Sequence, residues 1–203
     1  HGPRRDLRKK DPNLVTKSTI ARVWEREILS RLLEIGMRGV NPIRHEVVHD
    51  VKGRVLEIGF GTGVSLPHYG DGVHELIAVE PAAELAAIGR DRLARWSSDR
   101  QIPATLHELS ATRPLPIDAG SIDAVVILFV LCSVDRLDEL LSQVGRLLRP
   151  GGALHLAEHV AADNDPIPHP WRERAQRAIR PAWRLALGGC DPHRSLDQRL
   201  TQH

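Results

Sequence analysis

Residues 54–63 read Arg54-Val55-Leu56-Glu57-Ile58-Gly59-Phe60-Gly61-Thr62-Gly63. Val55, Leu56 and Ile58 have the branched, apolar character of a buried strand, and the strand runs directly into three glycines at alternate positions. Glycine has no Cβ, so a turn of this kind lets backbone approach a ligand closely. By itself the turn is a weak signal. It gains weight from Glu80, which ends a second apolar segment, Glu75 to Val79, 17 positions after Gly63. A carboxylate there can accept two hydrogen bonds from a ribose diol. Together they predict an adenosine-containing ligand at the carboxyl ends of parallel strands.

Working outward, Ile20, Trp24, Ile28, Leu32 and Ile35 recur at helical spacing ahead of Gly36, which predicts an amphipathic lid helix over 18–36. A short helix is expected over 42–51, and 81–96 reads as a helix with Pro81 in its first turn. Thr105 to Glu108 is a third strand, and Asp123 to Leu128 a central strand covered on both faces. Leu137, Leu140, Leu141, Val144 and Leu148 give a helix over 135–148, stopped by Pro150-Gly151-Gly152. Ala153 to Glu158 is a fifth strand, and a cap helix is expected over 168–188 with Ile179, Trp183 and Leu187 on one stripe. Strands alternating with helices predict an α/β fold, a doubly wound, mainly parallel sheet with N-terminal helices.

The 203 residues suit one domain, placed at 18–190 between a solvated basic arm, 1–17, and a tail, 191–203. Hydrophobic residues are 41% and charged residues 27% of the chain, and no apolar run approaches the roughly 20 residues of a membrane span. The chain begins with His rather than Met and has no apolar leader stretch, so its start is expected to be trimmed rather than targeted. A net charge of +2 with few aromatics argues against nucleic acid as a partner. Cys132 and Cys190 show no metal-ligand spacing, so no metal is expected, and two thiols do not make a disulfide framework. A cytoplasmic location fits, with peripheral membrane contact through the apolar stripe of 168–188 as the alternative.

The spacing of the loop separates two cofactor classes. Nicotinamide folds favour G-x-G-x-x-G/A with a pyrophosphate at the helix N-terminus. Here the third glycine comes one residue early, Val64 stands where Gly or Ala is wanted, and Glu57 precedes the first glycine by two. That carboxylate disfavours a pyrophosphate and suits the ammonium and sulfonium charges of S-adenosylmethionine. The stretch 55–63 resembles the first motif of the class I S-adenosylmethionine-dependent methyltransferases, which have a Rossmann-like fold. The resemblance continues through Val79-Glu80-Pro81, Leu115-Pro116-Ile117, Ser121-Ile122-Asp123 and Leu147 to Gly152.

Two branches are similar in finer detail. Residues 61–69 resemble bacterial phosphatidylethanolamine N-methyltransferases. Val130 to Val134, Glu158-His159-Val160, Pro181-Ala182-Trp183 and Gly189-Cys190 with Arg194 resemble the methyltransferase-like alkyl thiol methyltransferases, in more separate segments. The resemblance implies a thiol acceptor first and an amine or phospholipid headgroup second. A nicotinamide-dependent oxidoreductase and a non-catalytic methyltransferase-like binding module are the competing readings.

For the cofactor site the resemblance implies Glu57, Gly59, Phe60, Gly61 and Gly63 around the methionine and ribose, Glu80 and Pro81 at the ribose, Ser110 and Ala111 near the adenine, and Leu128 and Phe129 as a wall. The family often has an acid near position 110, and this sequence does not. Phe60 stands where a small residue is common. No pair of closing antiparallel strands is visible after Cys190. For the acceptor the resemblance and positions offer Trp24, Cys132, Cys190 and Arg194, each with a plainer reading as a packing or loop residue. His159, just past the fifth strand, is the candidate base, since His exchanges protons near neutral pH.

Overall fold

The computed structural model describes residues 37–158, 170–186 and 190–191. The expected lid helix 18–36 with Trp24, the basic arm, His159, Arg194 and the tail beyond 191 lie outside the described residues. Within them the chain forms α1 (Asn41–Val48), β1 (Gly53–Ile58), β2 (Val73–Val79), α2 (Ala83–Arg100), β3 (Ala104–His107), β4 (Ile122–Leu128), α3 (Leu137–Leu147), β5 (Leu148–Ala157) and α4 (Pro170–Ala186). All four strand pairs are parallel, in the order β3-β2-β1-β4-β5. The expected α/β fold is therefore what the chain adopts.

Strand periodicity divides the core into two layers. Leu56, Ile58, Ile77, Val79, Val125 and Ile127 face α3, whose Leu137, Leu140, Leu141, Val144 and Leu147 are buried against them. Val55, Leu76, Ala78, Ala124 and Val126 face the opposite layer with Val48 of α1, Leu93 and Trp96 of α2, and Tyr69. Truncating one such buried leucine to alanine costs about 2–5 kcal/mol. Register places Ile58 beside both Val79 and Ile127, so the loops after β1, β2 and β4 emerge together at one end of the sheet.

Several boundaries differ from expectation: α1 ends at Val48 rather than 51, and α2 begins at Ala83, so Pro81 lies ahead of the N-cap Ala82 and not in the first turn. The helix α3 ends at Leu147, and Leu148 is already extended (φ −62, ψ 135), pairing with Ile122. Pro150-Gly151-Gly152 therefore lies inside β5 rather than stopping a helix. A register shift between Ile122 and Ala124 absorbs it, as expected of a proline that cannot donate to the ladder. The helix α2 runs past Trp96 to Arg100, because Trp96 packs into the core and the left-handed turn comes only at Gln101 (φ 56). Among the described residues no further strand flanks β5.

Candidate functional site

The glycine loop is built from backbone first. Gly59 and Phe60 donate their amides to the Val79 carbonyl at 2.8 and 3.1 Å, and Gly63 donates to Phe60 at 3.0 Å. Gly59, Gly61 and Gly63 have φ of +76, +58 and +79, a region side chains avoid. Packing adds a second requirement at two of them. A Cβ on Gly59 would collide with the Val130 side chain, and one on Gly63 would stand 2.9 Å from the Phe60 ring. Gly61 is different: among the described residues the nearest atom to a Cβ there is the Gly59 carbonyl oxygen at 4.0 Å, so its face is open to them.

Beside that open face lies Glu80, only 6% exposed. One carboxylate oxygen accepts the Gly61 amide at 2.9 Å and the other the Ala82 amide at 2.8 Å, just before α2 begins. Burial pushes the Glu80 carboxyl above its ordinary range, and these two amides pull it back. A carboxylate has about four lone-pair positions, so two remain for a ligand's hydroxyls. Pro81, next in sequence, is exposed at the same rim.

Glu57 points elsewhere. It shares the strand face of Val55, and its carboxylate accepts the Ser65 hydroxyl at 2.7 and 2.9 Å and the Tyr69 hydroxyl at 2.9 Å, within the layer of α1 and α2. Burial raises its pKa to about 7, against the hydrogen bonds of Ser65 and Tyr69 and the nearby positive charge of Arg44. Glu57 thus supports the loop from beneath. Phe60 does the same. Its side chain is 2% exposed, and its ring packs under the loop against Gly63 and Gly89 of α2. Gly89 is a feature the sequence signalled only as an isolated glycine in a helix: a Cβ there would lie 2.6 Å from the Gly61 carbonyl.

The third wall follows β4. Leu128 is half-buried, and Phe129 adopts φ +59 while donating its amide to Ala157 at 2.7 Å. A left-handed phenylalanine is uncommon and costs on the order of 1 kcal/mol, and such residues gather at ligand sites. The turn is held by Glu158, whose role spacing did not reveal, although its position at the end of β5 was visible. Its carboxylate accepts the Val130 and Leu131 amides at 2.5 Å each and the Cys132 amide at 3.4 Å. Cys132 and Cys190 are buried with their sulfurs 3.2 Å apart. Beyond β3, Ser110 exchanges a 2.8 Å hydrogen bond with Thr112, and Ala111 is buried in the core. The structure thus brings the glycine loop, Glu80, Phe129 and the Cys132 turn to one end of the sheet. Among the described residues no cluster of His, Cys, Asp and Glu is arranged to hold a metal.

A parallel sheet of this order, with a glycine turn after β1 and a buried acid closing β2, defines an α/β binder of an adenosine cofactor. Residues 56–156 match the family described as methyltransferase domain. The chain is 32% identical over 145 residues to the human thiol S-methyltransferase TMT1A, covering 68% of this chain and 53% of that protein. It is 30% identical over 115 residues to the phosphatidylethanolamine N-methyltransferase of Cereibacter sphaeroides, covering 57% of this chain and 55% of that one. The chain thus spans about half the length of these curated relatives. A solved S-adenosylmethionine-dependent methyltransferase of Thermotoga maritima shares the fold with a TM-score of 0.52 at 19% identity, over 88% of this chain and 77% of that one. The chain belongs to the S-adenosylmethionine-dependent methyltransferases. The residues present fit that cofactor, since the open face at Gly61 and the buried Glu80 carboxylate meet at the strand ends.

Proposed function

We propose that this chain transfers the methyl group of S-adenosylmethionine to a thiol on a small or lipophilic acceptor. The observation that carries the reading is the 32% identity to a protein named a thiol S-methyltransferase, over 145 residues of the chain. When bound, S-adenosylmethionine supplies a methyl carbon activated by its sulfonium leaving group. What remains for the protein is to position the acceptor in line and keep water away. Glu80 accepts the ribose hydroxyls, the backbone at Gly61 lies against the cofactor, and Glu57 and Phe60 hold the loop in place from below. Leu128 and Phe129 form a wall, and the backbone and hydroxyl near Ser110 and Ala111 meet the adenine in place of an acid.

A thiol asks least of such a site. Its pKa near roughly 8.5 leaves a usable thiolate fraction at neutral pH, whereas an ammonium must first lose a proton. Glu158 is occupied by three amides, so His159, its neighbour in sequence, is the candidate base, with Trp24, Cys132, Cys190 and Arg194 as candidates around the acceptor. The identity to a phosphatidylethanolamine N-methyltransferase favours an amine headgroup as the second reading. Exposed Trp171 and Ile179 on the arginine-rich helix α4 support peripheral contact with a membrane surface as the route by which a lipophilic acceptor arrives. No described helix is long and apolar enough to cross a membrane.

The test is a tritiated-methyl transfer screen over alkyl thiols, amines and phosphatidylethanolamine vesicles. Label in a thioether product is expected. Label confined to amines or phospholipid would replace the thiol reading with the second one.

A further inference from the structure

Cys132 and Cys190 are 58 positions apart in sequence, yet their Sγ atoms are 3.2 Å apart, with Cys190 as the donor. The two backbones are also joined: the Asp191 amide donates to the Cys132 carbonyl at 3.0 Å. Asp191 in turn pairs with Arg180 of α4, at 2.5 Å from the guanidinium Nη2. That bond joins the residue after Cys190 to the carbonyl of Cys132 itself, so the two backbones are held side by side where the sulfurs meet. Closing the sulfurs to a covalent bond of about 2.05 Å takes a movement of roughly 1 Å, which side-chain rotation can supply.

We propose that Cys132 and Cys190 form a redox modification site, oxidised to a disulfide by small-molecule disulfides and reversed by thiols. Cys190 is the more exposed partner, at 6% against 1%, and reacts first. Its thiolate attacks one sulfur of the disulfide RSSR, the S–S bond breaks, and RS⁻ leaves to take up the proton that Cys190 lost. Cys132, as thiolate, then attacks the Cys190 sulfur of the mixed disulfide, forming the Cys132–Cys190 bond and releasing a second RS⁻, which takes the Cys132 proton. Two protein thiols are oxidised by two electrons and one RSSR is reduced to two RSH. In the reduced pair the hydrogen bond with Cys190 and burial push the Cys132 thiol well above its ordinary range.

The position of the pair gives the bond a consequence. Cys132 lies in the turn held by Glu158, and Val130 of that turn presses against Gly59 of the cofactor loop. A disulfide fastens residues 190–191, and α4 through Arg180, to the wall of the cofactor site. This holds whatever the acceptor is, so it is independent of the thiol reading. The experiment incubates the full chain with oxidised glutathione, alkylates remaining thiols and digests without reductant. The expected product is one pair of peptides joined through Cys132 and Cys190, lighter by two hydrogens, absent from C132A and C190A and lost on reduction. Dissociation of S-adenosylhomocysteine, followed by stopped flow, is expected to slow several-fold on oxidation. Two separately alkylated cysteines, or glutathione retained on each, would overturn the site. An unchanged dissociation rate in the cross-linked chain would overturn its coupling to the cofactor.

Discussion

The Glu80 carboxylate accepts the Gly61 amide at 2.9 Å, tying the end of β2 to the middle of the glycine loop. One side chain therefore shapes the loop and presents its remaining acceptor positions at the open face of Gly61. Glu80→Gln keeps the size of the side chain but removes the charge and puts an NH2 donor against the Gly61 or Ala82 amide, so half of the acceptor capacity is lost. Charge-assisted hydrogen bonds contribute about 1.5–3 kcal/mol, so the Kd for S-adenosylhomocysteine should rise roughly 10- to 100-fold in titration calorimetry. An unchanged Kd would remove Glu80 from the cofactor site.

Two helical glycines should respond oppositely to alanine. At Gly89 a Cβ would sit 2.6 Å from the Gly61 carbonyl and 3.0 Å from the Phe60 ring. Crowding of this kind costs about 1–3 kcal/mol, and Gly89→Ala should also weaken cofactor binding. Among the described residues nothing lies within 4 Å of a Cβ at Gly145 in α3, so Gly145→Ala should stabilise by about 0.5–1 kcal/mol through helix propensity. Urea unfolding of both variants checks the pair, and equal effects would contradict the packing described beneath the loop.

Glu57 makes stability depend on pH. Its carboxyl is raised from 4.5 to about 7, chiefly by burial, so between those values the folded chain holds a proton that the unfolded chain has lost. Stability is then highest at low pH within this window and falls as pH rises through about 7, by about 3 kcal/mol in total. Glu57→Gln, which can still bond Ser65 and Tyr69, should flatten this slope and be the more stable protein at pH 8. Denaturant unfolding at pH 5 and pH 8 measures it, and parallel slopes for the two proteins would refute the assignment.

Glu158 holds the turn after β4 through the Val130, Leu131 and Cys132 amides. Glu158→Ala leaves these donors without that partner, at about 1–3 kcal/mol for each one that stays buried. Because Val130 presses on Gly59, cofactor affinity should fall along with stability, and Glu158→Gln should recover part of both. Lost stability with wild-type affinity would separate the turn from the cofactor loop.

The sheet was legible because central parallel strands are continuous apolar runs, and because the glycines and Glu80 carry their signal in spacing alone. Pro150-Gly151-Gly152 was misread since a proline and two glycines stop helices more often than they sit in a strand, and only the shift beside Ile122 reveals the accommodation. Glu57 illustrates a different limit. Its sequence position suggests contact with a cation, but alternation along β1 turns its side chain into the layer of Ser65 and Tyr69. Gly89 and Glu158 act through partners 28 and 26–28 positions away, Gly61 for the one and the amides of residues 130–132 for the other, distances at which no local pattern speaks. The closeness of Cys132 and Cys190 is of the same kind.

The most direct test of the account is titration calorimetry of the chain with S-adenosylmethionine, S-adenosylhomocysteine and NAD. Saturable one-to-one binding of the first two, lost or strongly weakened in Glu80→Gln, with no heat from NAD, is the predicted result. Binding of NAD with none of S-adenosylhomocysteine would contradict it.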